Sequence, residues 1–141
     1  MQMDVHSKEI RSYNMSRIRS KNTKPEETVR KYLFSKGYRY KKNVKSLPGS
    51  PDIVMKKYKT VIFVNGCFWH VHEGCSFFEW PSSNTEFWRK KLIGNRERDL
   101  KNYNKLREMG WNVLIVWECE LKKDKEKCLE RIIKELESIG N

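Results

Sequence analysis

The chain has 141 residues, enough for one hydrophobic core but not two. Its 30 Lys and Arg against 18 Asp and Glu leave a net charge of +12, which favours an anionic partner. No segment pairs a basic face with a broad apolar one, so nucleic acid ranks ahead of a membrane, with a merely basic soluble surface as the alternative. No apolar run is long enough to span a bilayer and the first residues are polar. Neither a signal peptide nor a membrane anchor is expected, and the cytoplasm is the expected compartment.

Residues 1–22 are basic and polar, with apolar Met15 and Ile18 three positions apart. They read as a short helix or arm with little to bury, ahead of a single folded domain over 23–141. Thr23-Lys24-Pro25-Glu26 is a helix start, with Thr23 placed to cap and Glu26 at the capping-box position. Val29, Leu33 and a stop at Gly37 complete a helix over 24–36. Residues 38–44 roughly alternate and predict a strand. The rigid turn Leu47-Pro48-Gly49-Ser50-Pro51 then leads into Asp52.

Asp52-Ile53-Val54-Met55 and Thr60-Val61-Ile62-Phe63-Val64 are apolar strands close enough to form a hairpin. Asn65 to Trp88 shows no period and is rich in His, Cys and aromatics, which suggests a functional loop tied down by something other than a core. Residues 89–109 read as a helix with Leu92, Leu100, Tyr103 and Leu106 inward, ending at Gly110. Residues 111–117 read as a strand buried on both faces, and 121–139 as one closing helix. That order, helix, three strands, helix, strand, helix, predicts an α/β fold with a mixed central sheet flanked by helices.

Four cysteines are present, and without a secretion signal metal binding is the better expectation than disulfides. Cys67, His70, His72 and Cys75 crowd into nine residues, and Cys119 follows at the end of the last strand. Cys67, His72, Cys75 and Cys119 make a Cys3His set suited to a closed, structural Zn2+ site that pins the long loop. The alternative is scattered core cysteines, the reading preferred for Cys128 on the apolar stripe of the last helix. His6 receives no role.

His70 is left over from the zinc set and can serve as a general acid or base. Asp52, after a proline at the foot of a hairpin, is either a turn former or a ligand for a hard, oxygen-seeking cation such as Mg2+. The neighbouring strand ends Phe63-Val64-Asn65 and lacks the acid-x-Lys that often completes such a site. Asp99 shares a helical face with Tyr103 and Leu106, so it needs a partner inside. Glu26 is a capping-box acid or an acid near the metal, the cap being favoured. Phe68, Trp69, Phe77, Phe78, Trp80, Phe87 and Trp88 either form a small core around the zinc or stack on and wedge between bases, with Phe68-Trp69 the best candidates for wedges.

With these residues in view, the chain resembles the very short patch repair (Vsr) DNA mismatch endonucleases from about residue 4 to 121. The likeness is carried by 4–6, 11–15, the Leu47–Asp52 turn, Val61-Ile62-Phe63-Val64-Asn65-Gly66-Cys67-Phe68-Trp69-His70, 85–88, Glu97-Arg98-Asp99 and 110–119. It implies a restriction-endonuclease-like fold of the PD-(D/E)xK type. The implied reaction is Mg2+-dependent nicking of the T strand, 5′ to the T of a T:G mismatch left by deaminated 5-methylcytosine.

By the same resemblance Asp52 binds Mg2+ with the Val64 carbonyl. His70 and Asp99 are catalytic, and Glu26 is an acid near the metal-bound waters. Cys67, His72, Cys75 and Cys119 bind Zn2+. Phe68, Trp69 and Trp88 enter the duplex from the major groove, while an N-terminal helix with Met15 and Ile18 clamps the minor groove. The implied partners are mismatched double-stranded DNA and mismatch-repair proteins, the enzyme acting as a monomer at the nucleoid. A well-known member has Thr-His where this chain has Val64-Asn65, with a general-base role proposed for that His; Asn65 cannot take up a proton at neutral pH. A related nuclease with another DNA target, mobile-element or restriction-linked, is the alternative, followed by a catalytically weakened DNA-binding homologue.

Overall fold

The computed structural model describes residues 23–140; Met15, Ile18 and the rest of the N-terminal arm lie outside the described residues. Helix α1 (Lys24–Ser35) starts where the sequence places it. The Thr23 side chain accepts from the Glu26 N–H, and Glu26 Oε2 accepts from the Thr23 N–H at 2.7 Å. The helix stops at Gly37, whose φ of +89° is open to glycine without steric cost.

Four strands follow: β1 (Lys41–Lys42), β2 (Ile53–Met55), β3 (Thr60–Asn65) and β4 (Asn112–Trp117). They form one sheet in the order β1-β2-β3-β4, antiparallel except for the parallel β3–β4 pair. One 3-10 turn (Lys56–Tyr58) closes the β2–β3 hairpin. Helix α2 (Thr85–Glu108) makes the crossover that a parallel pair requires. Helices α3 (Glu118–Lys123) and α4 (Lys125–Gly140) close the chain.

Side-chain alternation along β2 and β3 sorts the core onto two faces. Ile53, Met55, Ile62 and Val64 pack with Val29 and Leu33 of α1 and with Leu129, Ile132 and Leu136 of α4. Val54, Val61 and Phe63 pack with Tyr103 and Leu106 of α2 and with Trp111. This mixed sheet with helices on both faces is the expected α/β architecture.

Several local expectations change. The strand predicted over 38–44 reduces to Lys41–Lys42, because only those residues pair with β2. Helix α2 starts at Thr85 rather than 89, so the irregular loop is shorter and Trp88 sits in the helix's first turn. Leu100 is 56% exposed: it falls outside the stripe formed by Leu92, Tyr103 and Leu106. Strand β4 is an edge strand and only Val116 of it is fully buried, so its apolar run does not mark burial on both faces. The predicted single closing helix is two, broken at Asp124, whose Oδ1 accepts from the Lys127 N–H at 3.1 Å and so caps α4. Cys128 is buried in the core, as its place on the α4 stripe predicts.

Candidate active site and metal centre

Asp52 sits in the bend before β2, held by the strands on either side. Its carbonyl accepts from the Asn43 N–H at 3.1 Å, and its Oδ2 accepts from the Val64 N–H at 2.7 Å. The preceding turn closes with Ser50 N–H to the Leu47 carbonyl at 3.0 Å. Within it Gly49 has a φ of +76°, and a Cβ there would meet the Phe63 ring and Asn102 at 3.2 Å. Glycine is required both by the backbone and by the packing that aims Asp52.

Glu26 is the capping-box acid, and it also lies against Asp52. Oε2 caps α1, while Oε1 is buried without a hydrogen-bond partner in a side chain 1% exposed. Burial and the neighbouring Glu26 carboxyl push the Asp52 carboxyl up to about 8, against the Val64 N–H and the Arg30 charge. Two carboxyl groups in contact, one with an orphaned oxygen, are what a divalent cation stabilises. The residues therefore fit a hard metal ion.

His70 and Asp99 arrive from different elements, the loop after β3 and the middle of α2, and meet with Nδ1 and Oδ2 2.5 Å apart. That contact gives inward-leaning Asp99 the partner it needs. It leaves His70 Nε2 as the ring nitrogen not engaged by Asp99. Asp52, Val64, Asn65, His70 and Asp99 line one cavity of about 270 Å³, with Lys45 on its wall.

Asn65 is only 3% exposed and donates from Nδ2 to the Tyr103 hydroxyl at 2.8 Å. Burial holds the Tyr103 hydroxyl well above the ordinary tyrosine range, so it remains neutral. Sequence reasoning placed Tyr103 in the core but missed it as the partner of Asn65. The only signal was its position four residues after Asp99 on the same helical face. Tyr103→Phe leaves the buried Asn65 amide without its acceptor and is expected to cost about 1–3 kcal/mol, read as a lowered midpoint in urea unfolding. An unchanged midpoint would remove that bond from the account.

Beside this cavity, Cys67, His72, Cys75 and Cys119 place their ligand atoms within 4.8 Å of one another. His72 Nδ1 lies 3.6 Å from Cys67 Sγ and 3.3 Å from Cys119 Sγ, and its ring stacks on Trp117 at 4.0 Å between centroids. Three thiols and one imidazole at tetrahedral-edge separations fit zinc. Burial pushes the Cys67 thiol up to about 12. A bound cation reverses that preference, because it holds sulfur as thiolate.

The aromatics form a connected group. Phe68 lies 5.1 Å from Trp69 and 5.5 Å from Trp88, and Trp69 lies 6.0 Å from Trp88, centroid to centroid. All three are partly exposed, so they brace one another and still present edges outward. Phe77 and Phe87 are the most exposed of the loop's seven candidates, at 41% and 58%.

The mixed sheet thus carries a carboxylate cleft, a His–Asp pair and an adjoining Cys3His cluster. Residues 3–76 match the family model described as DNA mismatch endonuclease Vsr. The chain is 51% identical over 129 residues to the type II nicking enzyme V.NmeAIP of Neisseria meningitidis serogroup A, covering 92% of this chain and 91% of that protein. It is 48% identical to the type II nicking enzyme V.XorIIP of Xanthomonas oryzae pv. oryzae, over 84% of this chain and 86% of that one. It is 43% identical to the DNA mismatch endonuclease Vsr of Escherichia coli, over 94% and 83%. The chain belongs to the Vsr family of DNA endonucleases, enzymes that cut phosphodiester bonds of DNA. No helix among the described residues is long and apolar enough to cross a membrane.

Proposed function

We propose that this endonuclease nicks the T-containing strand of a T:G mismatch on the 5′ side of the T. The observation carrying this reading is the convergence of Asp52, His70 and Asp99 on one cavity, in a chain whose neighbouring loop holds an aromatic group and a Cys3His cluster. A mismatched step is easier to unstack than a paired one, so Phe68, Trp69 and Trp88 select it by deformability with few base-edge contacts. On this reading Met15 and Ile18 of the 1–22 arm grip the other groove, and residues 23–141 form the cutting domain.

Asp52 and the Val64 carbonyl would hold Mg2+, with Glu26 close by; Cys67, His72, Cys75 and Cys119 would hold Zn2+. Bound there, Mg2+ would supply positive charge to the phosphate oxygens and make water a better nucleophile. This chain's own groups supply orientation and proton transfer. Asp99 fixes the His70 ring with its proton on Nδ1, so Nε2 exchanges a proton with the reacting water or the leaving oxygen as one P–O bond forms and another breaks. Asn65, fixed by Tyr103, cannot accept that proton and acts as a polar wall of the cavity. Asp99→Asn removes the tautomer lock and is expected to lower the single-turnover rate about 10²-fold or more while leaving DNA affinity within about twofold. An unaffected rate would take Asp99 out of the machinery.

The test is a labelled duplex with one T:G mismatch beside its T:A control, with and without Mg2+. Magnesium-dependent nicking confined to the mismatch supports the reading. Cleavage of both duplexes points to a nuclease with another target, and binding without cutting to a weakened homologue. The relatives named as type II nicking enzymes support cutting of one strand; a related nuclease with another DNA target, mobile-element or restriction-linked, is the second reading. Action as a monomer at the nucleoid, alongside mismatch-repair proteins, completes the proposal.

A further inference from the structure

Among the described residues the sheet has two edges, β4 and β1, and the Cys67–His72–Cys75–Cys119 cluster with its loop is tied to the end of β4 through Cys119. At the opposite edge a groove of about 680 Å³ runs between α1 and residues 39–42. Lys31 and Phe34 of α1 form one wall; Arg39, Tyr40 and Lys42 form the other. The Tyr40 hydroxyl donates to the Arg30 carbonyl at 3.2 Å, joining the two walls. Phe34 is 56% exposed, and the Arg39 guanidinium lies over its ring at 4.4 Å.

Both walls lead back to neighbours of Asp52. Helix α1 passes from Glu26, the acid beside Asp52, straight into Glu27 and Arg30 of the groove. Strand β1 passes from Lys42 into Asn43, which bonds the Asp52 backbone and, with Lys45, lines the cavity. From Glu27 to Phe34 the helix rises about 10 Å, long enough to lie along more than one phosphate of a strand.

We infer that the α1–β1 groove is a track for the phosphate backbone of the strand lying in the catalytic cavity, on the side away from the aromatic group. Lys31, Arg39 and Lys42 neutralise the phosphates, and Phe34 holds the Arg39 head in place. The groove contacts charge rather than base edges, so it adds affinity and register but no sequence preference. The inference rests on the reading of the protein as a DNA-nicking enzyme and gives that enzyme a second, separable contact.

The experiment measures equilibrium binding of duplex DNA as a function of salt, without divalent cation, for the wild type, the Arg39→Gln/Lys42→Gln double variant and the charge-preserving Arg39→Lys/Lys42→Arg variant. Removing two phosphate contacts is expected to lower the slope of log affinity against log salt by about 1.8. Between 50 and 200 mM salt the wild type then loses about tenfold more affinity than the neutralised variant. The loss should be equal for T:G and T:A duplexes, and the charge-preserving variant should keep the wild-type slope. Shortening the duplex on one side of the mismatch should erase the difference between variants, while shortening the other side should not. An unchanged slope in a neutralised variant with a wild-type melting midpoint overturns the track alone. A wild type that binds no duplex overturns the DNA reading and the track with it.

Discussion

Stripping zinc from Cys67, His72, Cys75 and Cys119 is expected to unfold the segment from Gly66 to Asn84 and to abolish mismatch binding. The segment contains no strand or helix, so little backbone hydrogen bonding holds it. Its internal bonds are isolated turns such as His72 N–H to the Cys67 carbonyl at 3.0 Å. Without metal, three thiols and an imidazole at van der Waals distance contribute almost nothing. With zinc they contribute on the order of 10 kcal/mol. That exceeds the whole stability of many domains of this size. The same segment carries His70 and the Phe68–Trp69 pair, so both catalysis and wedging fail with it. Cys119→Ser is the milder version, expected to lower zinc stoichiometry from about one to near zero. Retention of one zinc per chain by that variant, or a folded and active metal-free protein, would contradict the cluster.

Asp52→Asn is expected to reduce cutting by about 10³-fold or more, because the carboxylate charge that holds the cation is gone. The change should also stabilise the magnesium-free protein at high pH. The sign follows from the raised carboxyl, whose ordinary value is 3.8 and whose value in the fold is about 8. Such a group contributes fully to stability below about pH 4 and loses that contribution as pH rises through about 8. The amide introduced by the substitution would keep the bond from Val64 N–H and bring no charge against Glu26. At pH 9 the variant is expected to be more stable than the wild type by about 1–3 kcal/mol, with little difference near pH 4. Urea unfolding at both pH values checks this. A wild type that gains stability on the same rise in pH, beyond any gain of the variant, would refute the carboxyl-pair geometry.

The parts legible in the sequence were those written in short-range chemistry. Thr23, Pro25 and Glu26 spell out a helix start because capping is settled within four residues, and the structure shows those bonds. The Cys67–His72–Cys75–Cys119 cluster was legible because its residue types have few other reasons to crowd together, and the fold brings their ligand atoms within 4.8 Å of one another. The edge position of β4 was not, since the apolar run from Val113 to Val116 reads alike in a central or an outer strand. Asp124 as a cap between α3 and α4 was passed over because the apolar stripe continues across it. His70 with Asp99 and Asn65 with Tyr103 are 29 and 38 residues apart, so no local pattern joins them. Only the crossover helix brings them over the end of β3. Asp52 alone was no better than a turn former until its neighbours were known. The fold supplies the reason to single it out, by burying it against Glu26.

Strand-resolved mapping of the nick is the most direct measurement. A duplex carrying one T:G mismatch, with distinguishable labels on the two strands, is incubated with the protein and Mg2+ under single-turnover conditions. The expected product is one break, in the T strand on the 5′ side of the T, with the G strand intact. Breaks in both strands, or a break at equal rate in the T:A control, would contradict it.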